Sequence, residues 1–189
     1  LLPLSDAANV IHGNALRMDW DQLWPMNERT FIMGNPPFYG ARWQNNEQKE
    51  DTQLVWHGAR GCGDLDYVSN WFYKAAEVCA THGVRAGFVS TSSITQGEQP
   101  PIIWAHLRPM GVGIDFAHRN FKWTNEASGQ AAVHTVIVGF STHEKPAQRP
   151  LWTYAKPDAE PVQTKASNIN AYLLDAPDVL VTSRSTPLS

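Results

Sequence analysis

The tetrapeptide Asn35-Pro36-Pro37-Phe38 carries the clearest chemical signal in this 189-residue chain. It follows a short apolar run, Thr30 to Met33, and a glycine, Gly34. An asparagine side-chain oxygen and the carbonyl of the next residue, stiffened by proline, present two hydrogen-bond acceptors at a fixed separation. Such a pair suits an exocyclic amino group whose lone pair is delocalised into a ring, as on adenine. Accepting both amino hydrogens pulls the nitrogen toward tetrahedral geometry and aims its lone pair at an incoming methyl group. Phe38 adds a π-face on which a base lifted out of a duplex can stack, worth about 1–3 kcal/mol. A strong general base is not required, because a methylated ammonium product loses its proton readily. The plain alternative is a Pro-Pro turn that closes a strand and tucks Phe38 into the core.

The elements that must position this motif alternate between short β-branched or aromatic runs and helical patterns, which predicts an α/β domain with a mostly parallel sheet. Asn9 to Ile11, ending in Gly13-Asn14, reads as a first strand and Thr30 to Met33 as a second. Prolines 36 and 37 cannot continue a central strand, so the chain leaves the sheet where such folds place their ligand sites. Gln44 to Trp56 reads as a loose surface helix or a loop. Leu65, Val68, Phe72, Ala75, Ala76 and Cys79 share a helical face, with Asp64 available as an N-cap and Gly83 as a terminator. Arg85 to Thr91 is a buried strand, and Pro101 to Leu107 a helix with proline in its first turn. Gly113 to His118 and Ala131 to Phe140 are two further strands, joined closely enough to form an antiparallel final pair. From Ser141 to Lys165 the composition shifts to Pro, Ala and Thr and reads as a linker. Residues 1–145 are expected to form one domain, and 146–189 a linker and the start of another unit.

Composition bounds the partners. The formal net charge is -3, so no global basicity advertises a nucleic acid, and any such role must come from local chemistry. The seven histidines lack metal-ligand spacing, and no metal site is expected. Cys62 and Cys79 sit in no CxxC pattern and read as reduced thiols of a cytoplasmic protein. A membrane-spanning run of about 18–20 apolar residues is absent. Pro157-Asp158, Glu160 and Lys165 approach a PD-ExK nuclease site, but the Glu-x-Lys spacing fails. Trp43, Trp56, Trp71 and Trp104 read as packing residues.

Beyond the tetrapeptide, the chain resembles the N6-adenine DNA methyltransferases of the gamma arrangement, and specifically the MmeI-like restriction-modification enzymes. The resemblance rests on Gly13-Asn14-Ala15-Leu16 with Asp19-Trp20, Gly34 to Phe38, Leu65-Asp66-Tyr67-Val68, Phe88 to Thr91 with Ile94 to Gln99, and Phe116 to Arg119 with Phe121-Lys122-Trp123. It implies a partial Rossmann-like methyltransferase fold. It also implies that S-adenosylmethionine is the methyl donor and double-stranded DNA the substrate of a longer prokaryotic, cytoplasmic protein. By the same resemblance, Asn35, Pro36, Pro37 and Phe38 are catalytic, and Phe38, Phe121 and Trp123 contact the flipped base. Asn14, Ala15, Asp66 and Tyr67 lie at the donor, while His118, Arg119 and Lys122 offer weaker contacts to the DNA backbone.

Family members carry an upstream glycine-rich turn that seats the donor, together with an acidic residue for its ribose, and this sequence shows neither. The donor pocket is thus expected to be incomplete. The endonuclease and target-recognition regions are expected to lie elsewhere in the protein, and the piece alone to be inactive. Two other readings share part of this chemistry: amino-methylation of a protein glutamine or an RNA base, and a non-catalytic scaffold.

Overall fold

The structure is a computed structural model that describes residues 9–123 and 133–181. After a short helix α1 (Trp20–Leu23), the chain enters a six-stranded sheet through β1 (Phe31–Gly34), which ends where Pro36 and Pro37 deny it further ladder bonds. Helices α2 (Asn46–Val55) and α3 (Ser69–His82) then lead to β2 (Arg85–Thr91), which runs parallel to β1 with Phe31 opposite Arg85 and Gly34 opposite Phe88. Helix α4 (Gln99–Leu107) precedes β3 (Gly113–Trp123), β4 (Val133–Ser141), β5 (Arg149–Thr153) and β6 (Val162–Ala166). The order across the sheet is β1-β2-β4-β3-β5-β6. β4 is antiparallel to both β2 and β3, β5 is parallel to β3, and β6 is antiparallel to β5. The sheet is mostly parallel in strand direction: β1, β2, β3 and β5 point one way, while β4 and β6 run against them. The β3–β4 pair supplies the expected antiparallel connection.

One face of the sheet is closed by helices. Phe72 of α3 lies 5.4 Å from the Phe88 ring and stacks 5.3 Å from Phe140. Ile103 and Trp104 of α4 meet Val138 on the same side, together with Ala171 and Leu173 of the C-terminal segment. Each of these large side chains is almost wholly buried, and burying one stabilises the fold by about 1.5–3 kcal/mol. Gly83 ends α3 at φ 64, and its N–H bonds back to the Cys79 carbonyl, a geometry that disfavours any residue with a Cβ.

Four local expectations are corrected. Asn9 to Ile11 is not a strand: it lies in irregular backbone, with Val10 87% exposed and nothing among the described residues to pair with it. Gln44 to Trp56 is neither loose nor a loop. Asn45 and Gln48 form a full capping box at the start of α2, and Asp51, Thr52 and Val55 bury one side of it. Asp64 sits in a single 3-10 turn rather than capping α3, which starts behind Val68 without a side-chain cap. The supposed linker contains β5 and β6. Pro150 is tolerated because the β3–β5 ladder is confined to Ala117 with Leu151 and His118 with Trp152. Most of β6 is exposed, so its edge position gives it a polar, linker-like composition.

Candidate active site

Because β1, β2, β3 and β5 share one direction, Asn35, Ser92, Trp123 and Tyr154 all emerge at the same end of the sheet. This is the end at which open α/β folds bind ligands. Asn35 follows β1 directly and is exposed, whereas Pro36 is buried and anchors the turn. Among the described residues, the Asn35 side chain makes no hydrogen bond. Together with Pro36 and Pro37 it lines a cleft of about 670 Å³, whose opposite walls include Gly13, Ala15, Trp20 and Trp71. Gly13 lies close under the Met18 side chain, whose methyl would have to move aside for any Cβ there. Phe38 is half-buried and packs against the core with part of its surface free.

The turn is held from behind. Tyr67 donates its backbone N–H to the Tyr39 carbonyl at 2.8 Å, one residue past the tetrapeptide. The neighbouring Asp66 carboxylate accepts hydroxyl bonds from Thr91 (3.2 Å) and Ser93. The Asp66 N–H donates to the Gln99 side chain at 3.1 Å. The Tyr67 hydroxyl donates to Asp51 Oδ2 at 2.6 Å, and Asn14 donates its side-chain N–H to the same oxygen at 2.9 Å. Arg17 Nε completes the set at 2.6 Å from Asp51 Oδ1. Burial alone would raise the Asp51 carboxyl. The hydrogen bonds from Tyr67, Asn14 and Arg17, with the Arg17 charge, outweigh it and hold the group below its ordinary range. Burial and the adjacent carboxylate push the Tyr67 hydroxyl up, so it remains a donor.

A second constellation lies along β3 and β5. His118 stacks 4.3 Å from Trp152 at an interplanar angle of 6°, and its Nδ1 is 2.8 Å from the Tyr154 hydroxyl. Phe121 stacks 5.3 Å from the Tyr154 ring. Burial pushes the His118 imidazole down, toward the neutral form at pH 7, which weakens it as a cation for phosphate.

Residues 1–153 match the family described as MmeI, DNA-methyltransferase domain. The chain belongs to that family. It is 38% identical to DNA methyltransferase A of Bacillus subtilis (strain 168) over 100% of its own length and 21% of that protein. It is also similar to the type IIL restriction-modification enzyme MmeI, solved in complex with DNA. The identity there is 43% and the TM-score 0.91, over 99% of this chain and 25% of that one. The chain thus spans about a fifth to a quarter of the length of these relatives.

Within this MmeI-type methyltransferase domain, the structure brings Asn35, Pro36, Pro37 and Ala15 into one cleft. Asn14, Asp66 and Tyr67 do not line that cleft; they join it through hydrogen bonds behind the acceptor turn. Phe121 sits at the same end of the sheet, in register with Thr135 of β4, which in turn pairs with Thr91 of β2. Lys122 is exposed and Arg119 half-buried, while the Trp123 side chain lies outside the described residues. Sequence reasoning missed Asp51, Trp152 and Tyr154. Asp51 was legible in part, since it stands four residues before buried Val55 on the same helical side. Among the described residues, no group of three or more His, Cys, Asp or Glu could hold a metal, and no helix is long and apolar enough to cross a membrane.

Proposed function

We propose that the chain is the acceptor-base portion of a site-specific DNA adenine-N6 methyltransferase belonging to a restriction-modification protein. The exposed Asn35 side chain, unengaged among the described residues and facing an open cleft at the carboxyl end of β1, carries the reading. Asn35 Oδ1 and the Pro36 carbonyl accept the two amino hydrogens of an adenine rotated out of double-stranded DNA, localising the nitrogen lone pair. Pro37 keeps the turn rigid. Phe38 offers its free ring surface to the extruded base, Phe121 approaches from β3, and Trp123 is a further base contact proposed from the sequence. Arg119 and Lys122, and more weakly His118, face the phosphate backbone.

S-adenosylmethionine, when bound, supplies the electrophilic methyl group. The cleft fits a group of that kind: Gly13 and Ala15 give a small-residue wall, Trp20 and Trp71 give apolar surface, and the volume of about 670 Å³ suits a nucleoside-sized ligand. Ala15 would meet it on that wall, and Asn14, tied to Asp51, would hold the wall in place, with Asp66 and Tyr67 supporting the turn opposite. The glycine-rich seat, the endonuclease part and the target-recognition part belong to other regions of the full protein, and residues 146–189 lead toward the last of these. Acting on genomic DNA, the protein works in a prokaryotic cytoplasm.

The deciding experiment is methyl transfer by the full-length parent with Asn35→Ala, measured on DNA and on protein and RNA acceptors in parallel. The reading expects adenine-N6 methylation of DNA by the parent and its loss in the variant. Normal methylation by Asn35→Ala overturns the assignment, and label appearing on protein glutamine or RNA moves the chemistry to that acceptor. Titrating S-adenosylmethionine into the 189-residue chain by calorimetry is expected to give weak or no binding.

A further inference from the structure

Among the described residues, two carboxylates are buried, Asp66 and Asp51, and Asp51 is the more enclosed at 1% exposure. A charge placed there is costly unless its lone pairs are engaged. They are engaged by three donors from two separate stretches of chain. Asn14 and Arg17 come from the turn before α1, and Tyr67 from the approach to α3; Asp51 itself rides on α2.

The two ends of this arrangement differ in character. Asn14 Oδ1 accepts from the Leu16 N–H at 3.0 Å while its amide nitrogen donates to Asp51. Both ends of the Asn14 amide are therefore fixed, leaving one amide hydrogen and one oxygen lone pair at an exposed position. Tyr67 is fixed through its hydroxyl to Asp51 and through its N–H to Tyr39, directly after Phe38. Hydrogen bonds to Asp51 from Asn14 and from the Tyr67 hydroxyl, continued through the Tyr67 residue itself to its N–H bond on Tyr39, thus connect Asn14 to the end of the Asn35 turn.

We infer that Asp51 is a positioning residue for methyl transfer, holding the Gly13 and Ala15 wall of the cleft in place through the Asn14 amide between them and registering it against the Asn35 turn. The inference deepens the methyltransferase reading and rests on it. Asp51 touches neither reactant; its effect passes through Asn14 and Tyr67. Its carboxylate is required as a charge-bearing acceptor, because an amide at this position would set an N–H against one of the three donors.

The test uses the full-length parent, with methyl-transfer kinetics measured well below the unfolding temperature of every variant. Asp51→Asn is expected to raise KM for S-adenosylmethionine at least tenfold and to weaken donor binding measured calorimetrically without DNA by a similar factor, with kcat at saturating donor and KM for DNA within about threefold of the parent. Tyr67→Phe, which removes one of the three donors and keeps the ring, is expected to raise the donor KM less, and it stands in should Asp51→Asn not fold. Asn45→Ala destabilises the same helix by removing its N-cap but breaks none of the Asp51 bonds, so donor KM stays unchanged. A donor KM unmoved in Asp51→Asn and Tyr67→Phe, or raised equally in Asn45→Ala, overturns the positioning role. Loss of activity in Asn35→Ala under those same conditions shows that the methyltransferase reading survives such a failure; full activity there shows that the reading itself has failed.

Discussion

The acceptor turn and the Asp51 cluster lie within one residue-to-residue path of each other and are built on opposite terms. Asn35 is exposed, and its side chain makes no hydrogen bond among the described residues. Asp51 is enclosed, and both of its carboxylate oxygens are occupied by donors from distant segments. A polar group left open at a strand end can be filled by a ligand, whereas one saturated inside the protein can only hold other groups still. On the proposed function, reactivity and rigidity fall to different side chains, linked through Tyr67.

The contrast can be broken most sharply at the open group. Asn35→Ala in the full-length protein is expected to lower the methylation rate by about a thousandfold, the upper range for removing one preorganised polar contact to a transition state. Its thermal midpoint should move by no more than about 1 °C, as befits an exposed side chain. A large drop in the midpoint would mean that Asn35 is structural and that the contrast is false.

The saturated group should show the reverse emphasis. Asp51→Asn is expected to cost about 2–3 kcal/mol of stability by chemical denaturation, a magnitude typical of charge-assisted hydrogen bonds lost inside a protein. The same variant changes the acid limb. The folded Asp51 carboxyl titrates below its unfolded value, so its contribution is fully present above about pH 4 and disappears as pH falls through the folded value. Denaturation midpoints of the parent should fall over that acid window more steeply than those of Asp51→Asn, and parallel curves would remove the linkage. Smallest is Asn45→Ala, expected to cost about 1 kcal/mol through the lost cap of α2 while leaving donor affinity intact.

How much of this was legible follows from where each signal resides. The strand before the Asn35 tetrapeptide and the turn that ends it were readable because two prolines after an apolar run have few structural solutions, and the structure ends β1 just before them. Strand β2, helix α3 and its Gly83 terminator were readable because they are buried against the core and must display its periodicity. Strand β6 was not, since at the sheet edge Val162 to Lys165 face solvent and carry no alternation. The same reasoning explains the missed Asp51. A buried acid looks like any surface acid until its three donors, 34, 37 and 16 residues away, are brought to it by the fold. His118 read as a cation at a strand end, whereas the ring stacked on it, Trp152, belongs to a segment taken for linker.

The edge position of β1 has a practical consequence. Its backbone is paired to β2 along one side, and Phe31 and Met33 are 62% and 81% exposed. Among the described residues nothing pairs with its other side, and a strand open in this way is a template for intermolecular strand addition. Handled in isolation, the 189-residue chain is accordingly expected to self-associate with rising concentration, and Met33→Lys should keep it dispersed.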